Sequence, residues 1–90
     1  MLLELKPQYE NVKSYYGKAI IEKCDNVKYL LFSYGVEICE YYPKTQKVKF
    51  LSDCYYHYTR TTLRHIKEFL KQFANIDNLT KKDIFKMANL

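Results

Sequence analysis

The chain has no tryptophan, only two glycines and two prolines among its 90 residues, and no long apolar run. The scarcity of Gly and Pro excludes collagen-like and linker-type sequence and predicts short loops. With only Gly17 and Gly35 available, no Gly-rich phosphate loop can be assembled. No apolar stretch approaches the ~20 residues that span a bilayer. Met1 to Pro7 is too short and too interrupted for a signal peptide, so a soluble, cytosolic protein is expected. Three cysteines, Cys24, Cys39 and Cys54, form an odd set that argues against a closed disulfide framework. No pair of them has metal-ligand spacing and only His57 and His65 could add imidazoles, so neither metal nor cofactor is expected, and the thiols should be free.

The carboxylates form no acid/base pair either. Glu37 and Glu40 fall on opposite faces of a strand, while Asp77 and Asp83 read as turn and cap residues. Thr61 and His65, spaced i, i+4, would meet along a helix as a hydroxyl and an imidazole. Such a pair without a third orienting group is usually structural, with His65 bonding a strand carbonyl or a tyrosine hydroxyl. A non-enzymatic protein is the expectation.

What the chain does have is 48% apolar residues, ten tyrosines and five phenylalanines. That composition is globular, and the length fits a single domain over residues 1–90. The net charge is +5 and uneven: residues 1–58 hold eight Lys/Arg against seven Asp/Glu, and residues 59–90 hold seven against three. A positive C-terminal third favours acidic partners, although a solvated lysine surface gives the same count.

The pattern predicts an α+β fold: an N-terminal arm (1–13), an antiparallel meander (14–58) and two C-terminal helices (59–90), the first packed on one sheet face. Leu2, Leu3 and Leu5 before Pro7 read as an extended arm or a brief helical turn. Ser14 to Cys24 reads as a strand with Gly17 marking a bulge or close backbone approach. Asp25-Asn26 reads as a turn, and Val27 to Tyr34 as a central strand apolar on both faces. Gly35 breaks that run. Val36 to Tyr42 follows with Val36, Ile38, Glu40 and Tyr42 on one side. After the turn Pro43 to Gln46, Lys47 to Ser52 is a fourth strand with Val48 and Phe50 inward. Cys54 to Tyr58 is either a fifth, edge strand or an irregular link.

Leu63, Ile66, Phe69, Leu70 and Phe73 form one helical stripe, with Thr59 as N-cap and Arg64, Glu68, Lys71 and Gln72 opposite. Thr80 to Asp83 reads as a capping box, Leu79 and Ile84 as a hydrophobic staple, and Ile84, Phe85, Met87 and Ala88 as the buried side of a second helix.

Two surfaces are candidates for a partner. Tyr55, Tyr56 and Tyr58, with Tyr41 and Tyr42, could stack bases beside Lys44, Lys47 and Lys49, though cross-strand tyrosine pairing explains such residues as well. The outer helix face offers Arg60, Arg64 and Lys71 with Lys67 adjacent. No support helix precedes it, as a groove-reading helix would need, so non-specific phosphate contact is what it allows. A sheet covered on one face leaves the other open, and a homodimer is compatible with that.

Tyr58-Thr59-Arg60-Thr61-Thr62-Leu63-Arg64-His65-Ile66-Lys67-Glu68-Phe69-Leu70 resembles the signature of a family of small uncharacterised phage and Gram-positive bacterial proteins, Thr-Thr-x-x-His-Ile-x-x-Phe-Leu. Ser14-Tyr15-Tyr16-Gly17-Lys18-Ala19 and Phe32-Ser33-Tyr34 are similar to the same family. Its members commonly carry Trp just before the helix, where this chain has Tyr55-Tyr56-His57-Tyr58. Thr61, Thr62 and His65 match the motif with no role attached. The resemblance implies a phage-type accessory protein that binds a host protein or ribonucleoprotein, such as an anti-CRISPR inhibitor of bacterial defence. A small basic nucleic-acid-binding protein is the alternative.

Overall fold

A computed structural model describes residues 1–90. Five strands lie in chain order across one antiparallel sheet: β1 (Leu2–Glu4), β2 (Ala19–Cys24), β3 (Lys28–Ser33), β4 (Val36–Tyr42) and β5 (Lys47–Phe50). A 3-10 turn (Tyr55–His57) leads into α1 (Arg60–Ala74), and α2 (Lys81–Met87) closes the chain. The expected α+β meander with two C-terminal helices is therefore what forms. The fifth strand, however, comes from the N-terminal arm, not from Cys54 to Tyr58. Leu2, Leu3 and Glu4 pair with Glu22, Ile21 and Ile20.

The tight turns explain how so few glycines suffice. Asp25 and Asn26 both take positive φ between β2 and β3, as their short polar side chains allow. Tyr34-Gly35 does the same between β3 and β4, with φ of 52° and 78°, the two-residue hairpin geometry that matches strand twist. Tyr16-Gly17 repeats it just before β2, with φ of 54° and 76° and the Lys18 N–H donating to the Tyr15 carbonyl. The strand expected from Ser14 therefore starts only at Ala19, because this turn occupies its first residues.

Alternation in β4 also departs from expectation. Phe32 pairs with Glu37 but Leu31 pairs with Cys39, so Ile38 is an extra residue in a β-bulge. Ile38 and Cys39 are both fully buried, and every side chain after them changes face. Tyr41 points into the core and Glu40 onto the open side, the reverse of an unbroken alternation.

The core lies between the sheet and α1. Ile21, Leu31, Ile38, Cys39 and Tyr41 from the strands meet Leu63, Ile66, Phe69 and Leu70 from the helix. Each fully buried aliphatic or aromatic side chain here contributes about 1.5–3 kcal/mol. The Thr59 hydroxyl caps α1 by accepting the Thr62 N–H at 3.2 Å, and Asn75, at φ 56°, ends it in the left-handed conformation. The capping box of α2 is complete: the Thr80 N–H donates to Asp83 and the Asp83 N–H to Thr80. Ile84 is buried and Phe85 and Ala88 partly so, whereas Met87 faces solvent.

The open face of the sheet is not the tyrosine platform considered above. Across its middle it carries Glu22, Leu30, Glu40 and Lys49, and one row away Glu4, Ile20, Phe32 and Glu37. Lys28 donates to Glu40 at 2.8 Å, as does the Tyr42 hydroxyl. Burial alone would raise the Glu40 pKa, but these two hydrogen bonds prevail and hold it below the usual range. The cysteines are free, and burial raises the Cys39 thiol far out of reach of ionisation.

Candidate functional site

One flank of α1 meets the segment between β1 and β2, and there the contacts are specific. Glu68, expected on the solvent side, is 3% exposed. Its carboxylate accepts the backbone N–H groups of Gln8, Tyr9 and Glu10 at 3.0–3.3 Å, and the Gln72 side-chain amide at 2.6 Å. Successive N–H groups converging on one anion form a backbone nest, here filled by the protein's own carboxylate. Gln72 also donates to the Lys6 carbonyl.

Glu10, fixed by this arrangement, accepts hydrogen bonds from Arg64 Nε and from the Tyr15 hydroxyl. Burial, then the Glu10 carboxylate, raises the Tyr15 hydroxyl well above its ordinary pKa. Lys71 pairs with Asp77 and lies over the Tyr9 ring. The outer basic face expected to be free is thus half used. Arg64 and Lys71 are ion-paired, while Arg60 and Lys67 are exposed and make no ion pair.

One helical turn further, His65 is completely buried. Its Nδ1 lies 2.8 Å from Ser33 Oγ, which lies 2.8 Å from Thr62 Oγ1. Thr62 rather than Thr61 is therefore the hydroxyl in the network, with Ser33, not a carbonyl or tyrosine, as the imidazole's partner. Thr59 Oγ1 donates to Thr62 Oγ1. Nε2 of the ring is buried and has no hydrogen-bond partner. Burial lowers the His65 pKa to about 4, so the ring is neutral at pH 7. A hydroxyl beside an imidazole resembles a nucleophile and base; Ser33 is 2% exposed on the core face of β3.

Tyr15 packs edge-on against His65 with ring centroids 4.5 Å apart, and Tyr34 stacks at 5.9 Å. Beside them opens a cavity of about 530 Å³ whose wall includes Lys13, Lys18, Arg64, Thr61, Tyr16 and Tyr34. Parts of residues 14–19, 32–34 and 58–70 converge on this cavity. Lys13, Tyr15, Lys18, Ser33 and Tyr34 were not singled out as site residues, although two of those stretches contain four of them.

The other candidate surface lies at the 3-10 turn and α2. Tyr55 and Tyr56 are 58% and 85% exposed, and Tyr55 packs edge-on against Phe85. Tyr58 is not part of that surface. It is 4% exposed, its hydroxyl donates to the Ser52 carbonyl at 2.6 Å, and burial pushes its pKa up to about 12. Tyr41 is a core residue as well. Lys81, Lys82 and Lys86 surround Phe85 and Leu90 in a concavity of about 650 Å³ and form no ion pair. Lys81 lies over the Phe85 ring at 5.4 Å.

The architecture defines a small α+β protein, a five-stranded meander under a helical cover, with no helix long and apolar enough to cross a membrane. The chain matches the model of the Family of unknown function (DUF8033) over residues 3–87 and belongs to that family. No curated protein and no solved structure matches it.

Proposed function

We propose that the protein is a non-catalytic accessory protein of the phage type that acts by binding a host protein or ribonucleoprotein, as an anti-CRISPR inhibitor of bacterial defence would. The observation that carries this reading is the α2 surface: exposed Tyr55 and Tyr56, half-buried Phe85, and three lysines that no carboxylate pairs. Aromatic rings contribute contact area at low entropic cost, and unpaired lysines complement an acidic surface. On the outer face of α1, Arg64 and Lys71 are instead consumed by Glu10 and Asp77.

Affinity capture from bacterial lysate tests it, comparing the wild-type chain with a variant carrying Lys81→Glu, Lys82→Glu and Lys86→Glu. A stoichiometric protein partner should be retained by the wild type and lost by the variant. Absence of any stoichiometric partner counts against the proposal. Direct nucleic-acid binding is the second reading, favoured by the same three lysines. A gel shift present at about 50 mM salt and lost near 200 mM supports it, because phosphate contacts weaken steeply with salt. No shift at low salt removes that reading.

A further inference from the structure

We propose that the cavity beside His65 is a binding site for a nucleoside phosphate, either free or at the end of a single strand. The site is independent of the α2 surface. Its wall holds Lys13 and Lys18, which make no ion pair, together with Arg64, whose charge Glu10 balances, and no carboxylate. The nearest acid, Glu10, is already engaged by Arg64 and Tyr15. A cavity with that imbalance and a volume of about 530 Å³ suits a small anionic ligand of mononucleotide size.

Three tyrosines supply the complementary part. Tyr15 is buried and held by Glu10, whereas Tyr16 and Tyr34 are 77% and 53% exposed. Both exposed rings are carried on Tyr-Gly turns at positive φ, with Lys18 following one of them. A large aromatic residue in the left-handed region is energetically disfavoured, and that cost is compensated where the ring has a task. Stacking on a planar base is such a task and tolerates any base. Lys13 and Lys18 then reach the phosphate.

His65 provides the directional contact. It lines the cavity, its Nδ1 is committed to Ser33, and its Nε2 has no hydrogen-bond partner. A buried polar nitrogen left unpaired is costly, and a polar group of the ligand entering beneath Tyr34 relieves it. Because Tyr34 stacks over the imidazole, the tyrosine must swing outward for the contact to form; its exposed position on the turn permits this.

The test is an NMR titration of the full chain with nucleoside monophosphates, ribose 5-phosphate and inorganic phosphate, following the His65 ring and the Tyr34 and Lys18 amides. Saturable shifts at these positions are expected with the nucleotides, with base-free phosphates about 10-fold weaker, since stacking adds roughly one decade or more per base. Lys18→Gln and Tyr34→Asn should each weaken binding by about 5-fold or more. Asn accepts the left-handed turn at position 34, and an unchanged thermal melt confirms that both variants are folded. Short single-stranded oligonucleotides form a further arm: tighter binding through the same residues identifies a strand end as the source, equal binding a free nucleotide. No saturable shift up to about 5 mM, a range that covers even millimolar affinities, overturns the proposal. So does equal binding of inorganic phosphate, or binding unaffected by both substitutions.

Discussion

The loop-facing flank of α1 and the surface formed by the 3-10 turn and α2 use the same residue types, tyrosine and basic side chains, to opposite ends. On the first, Glu10 and Glu68 return from distant parts of the chain and take up Arg64, Tyr15 and a run of backbone N–H groups. On the second, Lys81, Lys82 and Lys86 have only Asp83 among them, and that carboxylate is occupied by the Thr80 cap. Counting charges along the sequence scores the two surfaces alike. What separates them is whether a carboxylate folds back, and that decides which surface is fastened to the molecule and which is free for another.

The largest effect should come from breaking the fastened flank. Glu68→Ala removes the charged acceptor shared by three part-buried backbone N–H groups and should cost about 3–5 kcal/mol. That is a large share of the roughly 5–13 kcal/mol expected for a domain this size. Urea unfolding followed by circular dichroism measures it, and a loss below about 1 kcal/mol would show that the nest does not hold the arm.

Next comes the pH dependence of the same flank. The His65 pKa falls from the ordinary 6.5 to about 4 on folding, so between those values the unfolded chain binds a proton that the folded chain does not. Stability is therefore full above about pH 6.5, declines as pH falls, and levels off below about 4, by up to roughly 3 kcal/mol in all. Glu10 and Arg64 both face the ring, and their opposing influences leave burial dominant. Unfolding at pH 7 and at about 4.5 should show this decline in the wild type and a shallower one in His65→Gln.

A smaller effect is expected at the turns that carry the tyrosines. Nothing lies within 4 Å of a Cβ built at Gly35, so Gly35→Ala tests backbone strain alone, at φ +78°. The loss should be about 1 kcal/mol, read as a shift in urea midpoint. Smallest of all is Tyr56→Ala on the free surface, where the ring is 85% exposed. Its effect on stability should stay within about 0.5 kcal/mol, while binding to any partner captured through α2 falls. A large stability loss there would erase the contrast between the two surfaces.

Much of the architecture was legible in the sequence because local signals agreed. The apolar stripe Leu63, Ile66, Phe69 and Leu70 is buried as its spacing requires, and the Thr59 cap and Thr80–Asp83 box both form. The failures have a common physical origin in contacts made far along the chain. Glu68 has the polarity of an exposed helix residue, and only the arrival of residues 8–10 makes it an interior one. Glu40 and Tyr41 exchange faces because one bulge shifts a period-two pattern by a residue, and nothing in Val36 to Tyr42 announces it. The surroundings of His65 are half visible in the sequence: Thr61, Thr62 and His65 stand together in one helical motif, but Lys18 and Tyr34 reach the cavity, and Ser33 reaches the imidazole, only through strand pairing.

The Glu68 nest also bears on the order of folding. It joins residues about sixty positions apart, whereas the β2–β3–β4 hairpins close over a few. Short closures are entropically cheaper, so the hairpins and α1 are expected to assemble before the arm docks. The arm would then act as a late clasp, absent from the transition state. A substitution at Glu68 should leave the refolding rate nearly unchanged and accelerate unfolding, so that the clasp sets the lifetime of the native state, not the speed of reaching it.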